Sequence, residues 1–508
     1  MLSRMLLTLL LVEVFLVPTT LASGQGGGPS PSCPLDVSAI SDPTGTNAAN
    51  FGGAVAADED LLVVGAYFDG GVTLGYPGSV SIYRWNGVEH VLEQKIVGPL
   101  PADAPRFGSS VAVDGSVVVV GAPGVGFDSV ELVYVYRLQD GVWVEEQVLS
   151  PSDGAPNVDY GDAVSIDGDT IAVGAPGDDE AAGQAGAVYL YRWDGSTWNE
   201  ETKLFASDAT SDDTLGNSVS LDGDTLIAGA AGAIFVGQFN AGAAYCFRYD
   251  GAAWIETGKL TASPPVSYDQ FGMGVAVGDG TVAITSGYGG AGQAYIFAYD
   301  GETWELQQQL LPGSDETPFG GLGWMTSVAI DGDTVAFGDD EGPLSGGLPH
   351  NVYVYRFDGI EWTPQATLSS AGAPADERYG SSLALAEDRL AIGIPGRDGV
   401  GSDIGAVEVV ELCRSGFARG DINQDALINI ADVIYGLDFL FEPGAAAPPC
   451  PDAADVNDDG ALDLADPIAL LGLLFESTVN AIPYPYPLCG ADPTPDTIPA
   501  GLCSEVCP

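Results

Sequence analysis

One pattern repeats through most of this chain and constrains its fold more than any other feature. Its clearest copy is residues 161–204, GDAVSIDGDTIAVGAPGDDEAAGQAGAVYLYRWDGSTWNEETKL. An Asp-Gly pair between β-branched runs signals a tight hairpin, because its backbone tolerates the positive φ of a type I′ turn. Such pairs stand at Asp167-Gly168 and Asp194-Gly195 and predict strands over Val164–Ile166, Thr170–Val173, Ala187–Arg192 and Trp198–Leu204. Related openings recur at Phe51-Gly52, Phe107-Gly108, Tyr160-Gly161, Leu215-Gly216, Phe271-Gly272, Phe319-Gly320 and Tyr379-Gly380, in steps of 56, 53, 55, 56, 48 and 60 residues. Most openings lead into a hairpin ending in small residues (VVGAY, VVGAP, AVGAP, IAGAA), then a Tyr-bearing strand (SVSIYRW, LVYVYRL, AVYLYRW, AAYCFRY, QAYIFAY, NVYVYRF). Five units add a turn followed by Trp, at Trp143, Trp198, Trp254, Trp304 and Trp362. A single four-stranded sheet cannot cover its own faces, whereas like sheets stacked around an axis can. The chain is therefore expected to be all-β, a seven-bladed β-propeller.

These units resemble FG-GAP repeats, the blades of integrin α-subunit propellers and of many secreted bacterial proteins, over about 51–412. Blades of that family often carry a calcium loop between their first two strands. Here the loop has shrunk to turns such as Asp167-Gly168-Asp169, Asp222-Gly223-Asp224 and Asp331-Gly332-Asp333. A two-residue turn cannot supply the roughly six to eight oxygens that Ca²⁺ takes, so no metal is expected in the blades.

Residues 1–23 read as an export signal: Arg4, the apolar run LLTLLLVEVFLV, then small residues before a cleavage point near Ala22 or Ser23. No segment reads as a membrane span. The expected location is outside the cell or on its surface, after bacterial-type export, with 24–32 as a linker and the propeller over 33–413. Lys+Arg of 15 against Asp+Glu of 71 gives a net charge of −56. That field disfavours nucleic acid and anionic membrane surfaces and keeps the molecule soluble, here expected as a monomer.

Seven cysteines in an exported chain are disulfide candidates. The seventh unit stops after its third strand, at Ala406–Glu411, and Cys413 follows two residues later. Leu35–Ile40 aligns with the fourth strands of other units, so it is expected to complete the last blade and bring Cys33 beside Cys413 as a pair. Cys246 stands where Leu190, Val135 and Val354 stand in sibling units and reads as a buried apolar residue without a partner. Cys450, Cys489, Cys503 and Cys507 allow three pairings, and they read as staples for a small module (414–480) and a Pro-rich tail (481–508).

That module repeats GDINQDALINIADVIYGLDFLF as ADVNDDGALDLADPIALLGLLF, 34 residues on. Asp421, Asn423, Asp425, Asn429 and Asp432 fall at positions 1, 3, 5, 9 and 12 of a calcium loop, with the Leu427 carbonyl at position 7. Asp455, Asn457, Asp459, Asp463 and Asp466, with the Ala461 carbonyl, repeat the set. Two Ca²⁺ ions are expected, more weakly held in the first loop, where Ala426 replaces the glycine found at Gly460. Helices are expected over Val433–Phe441 and Pro467–Phe475, with none entering either loop. A duplicated loop with only an exiting helix resembles the type I dockerin module. The resemblance implies docking to a cohesin-like scaffold, often in polysaccharide-degrading assemblies. Such modules usually carry Ser/Thr at positions 10 and 11; here those are Ile430-Ala431 and Leu464-Ala465.

No catalytic motif stands out. His90 occupies a Trp position of the repeat and His350 a loop, and neither has a triad partner in the sequence. The aromatic residues at fixed repeat positions read as inter-blade core. The leading expectation is a secreted, non-catalytic binding or adhesion protein, with the propeller recognising an extracellular protein or glycan and the calcium module attaching it. Two alternatives are a component of a polysaccharide-degrading system, with hydrolase or lyase activity in the propeller funnel or as a docked accessory, and a structural cell-surface protein.

Overall fold

The computed structural model of the protein describes residues 36–42, 49–70, 77–99, 106–124, 131–154, 158–287, 293–310, 324–340, 350–369, 377–397, 404–412, 422, 430–441, 454, 456 and 462–475. Their 28 strands form seven antiparallel four-stranded sheets, the blades of a closed propeller. Blades 1 to 6 span 54–97, 110–149, 164–204, 219–260, 275–310 and 324–369, each with its strands in chain order. In blade 3 the strands are Val164–Asp167, Thr170–Ala175, Ala187–Trp193 and Trp198–Leu204, within two residues of the ranges expected from the turns.

Blade 7 is assembled from both ends of the domain. Leu383–Ala386, Arg389–Ile394 and Ala406–Glu411 supply three strands, and Asp36–Ile40 pairs antiparallel with the third, from Asp36 opposite Glu411 to Ile40 opposite Val407. The ring thus closes by main-chain pairing, as expected. The chain leaving this strand is tied onward by Asp42, which pairs with Lys95 of blade 1. Cys33 and Cys413 lie outside the described residues, as do Cys450, Cys489, Cys503 and Cys507. Cys246 is a free, buried cysteine, in register with Ile227 as Leu190 is with Ala172.

The repeated Phe-Gly and Gly-Ala pairs are two halves of one inter-blade contact. In blades 1, 2, 3 and 5 the aromatic of the opening is buried against a Tyr of its own blade, as in Tyr160 to Tyr189, with ring centroids 5.3 Å apart. The glycine after it donates its N–H to the glycine of the Gly-Ala pair in the same blade, Gly161 to Gly174 at 3.0 Å. Its carbonyl then presses on the Gly-Ala pair of the preceding blade. A Cβ at Gly121 would lie 2.1 Å from the Gly161 carbonyl oxygen, and one at Gly174 would lie 2.0 Å from that of Gly216. Gly393 of blade 7 meets Gly52 of blade 1 in the same way, at 2.1 Å. Only glycine fits between sheets this close.

Blade 6 departs from the sequence reading. Ser327 pairs opposite Gly338 as Ser110 pairs opposite Gly121, so Trp324-Met325 occupy the register of Phe107-Gly108. The irregular steps of 48 and 60 residues then become 53 and 55. Phe319-Gly320 lie outside the described residues.

The tryptophans are inter-blade staples, as expected from their fixed positions. Trp198 is buried, its indole N–H donates to Glu146 of blade 2 at 3.1 Å, and its main-chain N–H and C=O are both held by the Gln147 amide at 2.8 and 2.7 Å. Gln94 holds Trp143 and Gln308 holds Trp362 with the same pair of bonds. The third-strand arginine of one blade stacks on the next blade's aromatic, as Arg137 does on Trp193 at 4.6 Å. In blade 7, Arg389 reaches Trp85 of blade 1 at 5.5 Å, which continues the ladder across the closure.

The C-terminal region contributes two helices, Ile430–Phe441 and Ala465–Phe475, which begin three and two residues earlier than expected. They pack on one another around Ile422, Val433, Ala454, Val456 and Leu470. Ile422 and Val456 are equivalent residues of the two copies and both are fully buried, so the duplication is visible in the packing. A side chain at Gly436 would meet Ile422 and Pro467, and that closeness lets the helices cross. Ala454 takes helical backbone just before the second loop. No helix among the described residues is long and apolar enough to cross a membrane.

Candidate recognition face

Antiparallel order places the first-to-second and third-to-fourth strand turns at one end of every blade. The second-to-third and fourth-to-first connections emerge at the other. The first end is the turn face. On it, Asp58, Asp114 and Asp167 each accept a 2.6 Å bond from the main-chain N–H of the next blade's turn glycine, Gly115, Gly168 and Gly223. The second end is the loop face, where connection length and composition vary. Variable loops on a rigid scaffold are where binding residues concentrate.

The central channel opens on the loop face as a cavity of about 250 Å³. Its lining descends in tiers set by the alternation of the innermost strands. Ser109, Asp162, Asn217, Met273 and Ser381 form an upper tier, and Val55, Val111, Val164, Val219, Val275, Val328 and Leu383 form an apolar ring beneath. Between them, Ser110, Ser218, Ser327 and Ser382 each donate their hydroxyl proton to the carbonyl of the next blade's opening, at 2.6–2.9 Å. Their protons are committed, so toward the channel these oxygens are acceptors.

Asp162 is open to channel water yet enclosed by protein walls. This enclosure, reinforced by the nearby Asp159 carboxylate and opposed by Arg106, pushes its pKa up to about 6. Burial raises Asp159 as well, again opposed by Arg106. The Arg106 Nε is buried with no hydrogen-bond partner, as are the hydroxyls of Ser109 and Ser381.

A collar of strained backbone surrounds this mouth. Asn50, Arg106, Asp159, Thr214, Gln270 and Arg378 each immediately precede a blade opening, and each is left-handed with φ between 51° and 60°. Each accepts at its carbonyl from the N–H three residues on, which starts the innermost strand. A non-glycine residue in that conformation costs about 1–2 kcal/mol. All six are polar. The repeat reading missed them because their types differ from unit to unit; the available signal was that the residue before six of the seven openings is polar.

The residues weighed for catalysis sit elsewhere. His90 starts a fourth strand and stacks on Trp85 at 4.9 Å, the place siblings give to Trp. Burial and the Arg389 charge lower its pKa to about 4. His350 is buried. Burial pushes the Cys246 thiol far up, away from thiolate reactivity.

Of the calcium-loop residues, Asp432, Asp463 and Asp466 are described; Asp421, Asn423, Asp425, Leu427, Asn429, Asp455, Asn457, Asp459 and Ala461 lie outside the described residues. Asp432 and Asp466, the two position-12 residues, are buried in the first turns of equivalent helices. Asp463 accepts from the Ala465 N–H at 2.7 Å, and Asp466 accepts from the Asp463 N–H at 2.9 Å. These bonds cap the start of the second helix in the manner of a capping box.

A model of the FG-GAP repeat matches residues 143–191, 198–247 and 254–297. Each matched segment begins at a Trp of one blade's fourth strand and runs through the third strand of the next, so the sequence unit straddles the blade boundary. The closure of blade 7 by Asp36–Ile40 follows from the same offset. No curated protein matches the chain. The chain carries FG-GAP repeats folded as a seven-bladed propeller.

Proposed function

We propose that this is an exported, non-catalytic recognition protein, in which the loop face of the propeller binds an extracellular protein or glycan. The observation that carries this reading is the meeting, on one face of the ring, of variable connections, a collar of six polar residues at the blade openings and an acceptor-lined mouth. The C-terminal module attaches the propeller to a partner, a cohesin-like scaffold being the form its dockerin resemblance implies, and holds two Ca²⁺ ions. The two buried position-12 carboxylates at equivalent helix starts support that donor set, since hard oxygen ligands suit Ca²⁺.

Arrays of glycans and extracellular proteins, probed with the full chain with and without EDTA, test the reading. Binding that depends on Arg106 and Asp162 is expected for the loop face, and Ca²⁺ titration should report two sites that EDTA empties. Absence of any array signal overturns the recognition role; absence of Ca²⁺ heat overturns the metal. A second reading, a polysaccharide hydrolase or lyase, is favoured by the Asp159 and Asp162 carboxylates, both raised in pKa at the channel mouth. Release of reducing ends or unsaturated products from a polysaccharide panel would establish it in place of the first.

A further inference from the structure

The connection between the second and third strands of blade 4 differs from its siblings. Residues 225–247 contain no charged side chain, in a protein with 71 acids. Within them, Phe235 and Gln238 exchange main-chain bonds of 3.2 and 2.9 Å, closing a hairpin with Val236-Gly237 at its tip. Both tip residues are left-handed, φ 52° and 76°, which is a type I′ turn. That turn favours Asn-Gly, and a β-branched residue at its first position is an outlier. Val236 therefore does not serve the turn, and its side chain is 75% exposed.

The connection entering blade 5 is bonded to this hairpin. Tyr268 N–H donates to the Phe239 carbonyl at 2.7 Å, Gln270 N–H to that of Asn240 at 3.0 Å, and the Ser267 hydroxyl to Gln238 Oε1 at 2.6 Å. The two loops together expose Ile234, Val236, Phe239 (60%), Val266 and Tyr268 (52%). Among the described residues, no other connection on the loop face exposes a large apolar side chain.

Composition identifies the occupant. Two exposed aromatic rings sit beside the Gln238 and Asn240 amides and the Ser267 hydroxyl, with no charge in 261–268 and with Asp269 buried. An anionic polymer is repelled by the net charge of −56, and the charge beside the hairpin, Lys259 at 5.9 Å from the Phe235 ring, is already paired with Asp208 at 2.7 Å. Rings that cover C–H faces, with neutral groups that exchange hydrogen bonds with hydroxyls, fit an uncharged sugar chain. We propose that this paired-loop platform docks neutral polysaccharide, with Phe239 and Tyr268 stacked on sugar rings and Val236 in apolar contact beside them. It rests on the recognition role of the loop face and names its ligand.

Affinity electrophoresis of the full chain through gels containing mixed-linkage β-glucan, glucomannan or arabinoxylan, with polygalacturonate as the anionic control, tests this. Retardation is expected in at least one neutral gel and not in polygalacturonate, and Phe239→Ala and Tyr268→Ala should each weaken it about tenfold. Val236→Asn restores the preferred turn pair, so its thermal midpoint should equal or exceed that of the parent while binding falls about threefold. Three results overturn the proposal: no retardation by any neutral polymer, retardation that survives both alanines, or flotation with phosphatidylcholine vesicles that Val236→Asn abolishes. Retardation that survives the alanines removes the platform and leaves loop-face recognition standing, which the arrays judge separately.

Discussion

The two faces of the propeller are built from the same seven strands to opposite standards. On the turn face a short acidic hairpin recurs, Asp-Gly in most blades, and an aspartate reaches the next hairpin's glycine with the same 2.6 Å bond at three successive blades. On the loop face, six openings share one strained backbone conformation and carry six side chains of differing character, from arginine to aspartate to threonine. Conformation repeats there because the innermost strand must be entered at one angle, whereas side-chain identity is free of that requirement. Uniformity therefore marks what holds the ring. Variation at constant backbone marks the face to which the proposed recognition is assigned.

The largest expected effect tests the uniform half. Deleting residues 1–40 removes Asp36–Ile40 and leaves the Ala406–Glu411 edge unpaired. Loss of about 5 kcal/mol or more, a large fraction of a domain's stability, with aggregation, is expected in denaturant unfolding. A deletion that unfolds at the parent's midpoint would mean the ring does not depend on its closure. Gly393→Ala comes next, because its Cβ would lie 2.1 Å from the Gly52 carbonyl oxygen and the sheets would have to separate. About 3 kcal/mol is expected, against about 1 kcal/mol for Gly168→Ala on the turn face, where only the left-handed φ of 56° is strained and the space is open. Equal costs at the two glycines would show that inter-blade closeness does not set the requirement.

Those two glycines also show what was readable in the sequence. Asp167-Gly168 announces a hairpin because turn chemistry is local, and the blade 3 strands accordingly fell close to expectation. The glycine of the Gly-Ala pair was visible as a recurring letter, but its reason, a carbonyl from the next blade, depends on residues some forty positions away. Strand exchange at Asp36–Ile40 was legible because the seventh unit lacked a fourth strand. The opening of blade 6 was misplaced because Phe319-Gly320 matches the motif in letters while Trp324-Met325 matches it in register. The channel mouth was not legible at all: Asp162 differs in no local way from other acids of the chain, and enclosure by seven blades is what moves its pKa. In the C-terminal repeats the helices were readable from apolar runs, and the buried equivalence of Ile422 and Val456 follows from duplication.

A mid-sized effect probes the outer rim. Gln147→Leu keeps the side chain's bulk but strands the Trp198 main-chain N–H and C=O that Gln147 holds. Because Trp198 is buried, a loss of about 2 kcal/mol is expected in unfolding, and removal of the Glu146 carboxylate should cost less, since only one indole N–H is affected. The reverse ranking would place the staple in the indole rather than in the amide.

The smallest effects are pH-dependent and of opposite sign on the two halves of the molecule. Asp162 has a folded pKa of about 6 against an ordinary value of 3.8, so between those values the folded protein holds the extra proton, and stability falls as pH rises through the window. Asp269, buried and also raised to about 6, adds a slope of the same sign. His90 does the reverse: with a folded value of about 4 against 6.5, the unfolded chain takes the proton first, and stability falls as pH drops from 6.5 toward 4. The two slopes partly cancel in the parent, and single substitutions separate them. Asp162→Asn should raise the thermal midpoint near pH 7 and leave it unchanged below pH 4, whereas His90→Trp, the residue sibling blades use, should flatten the acid side alone. If Asp162→Asn shifts the midpoint equally at pH 4 and pH 7, its carboxylate is not constrained by the channel, and the loop-face mouth loses the electrostatic character that sets it apart from the turn face.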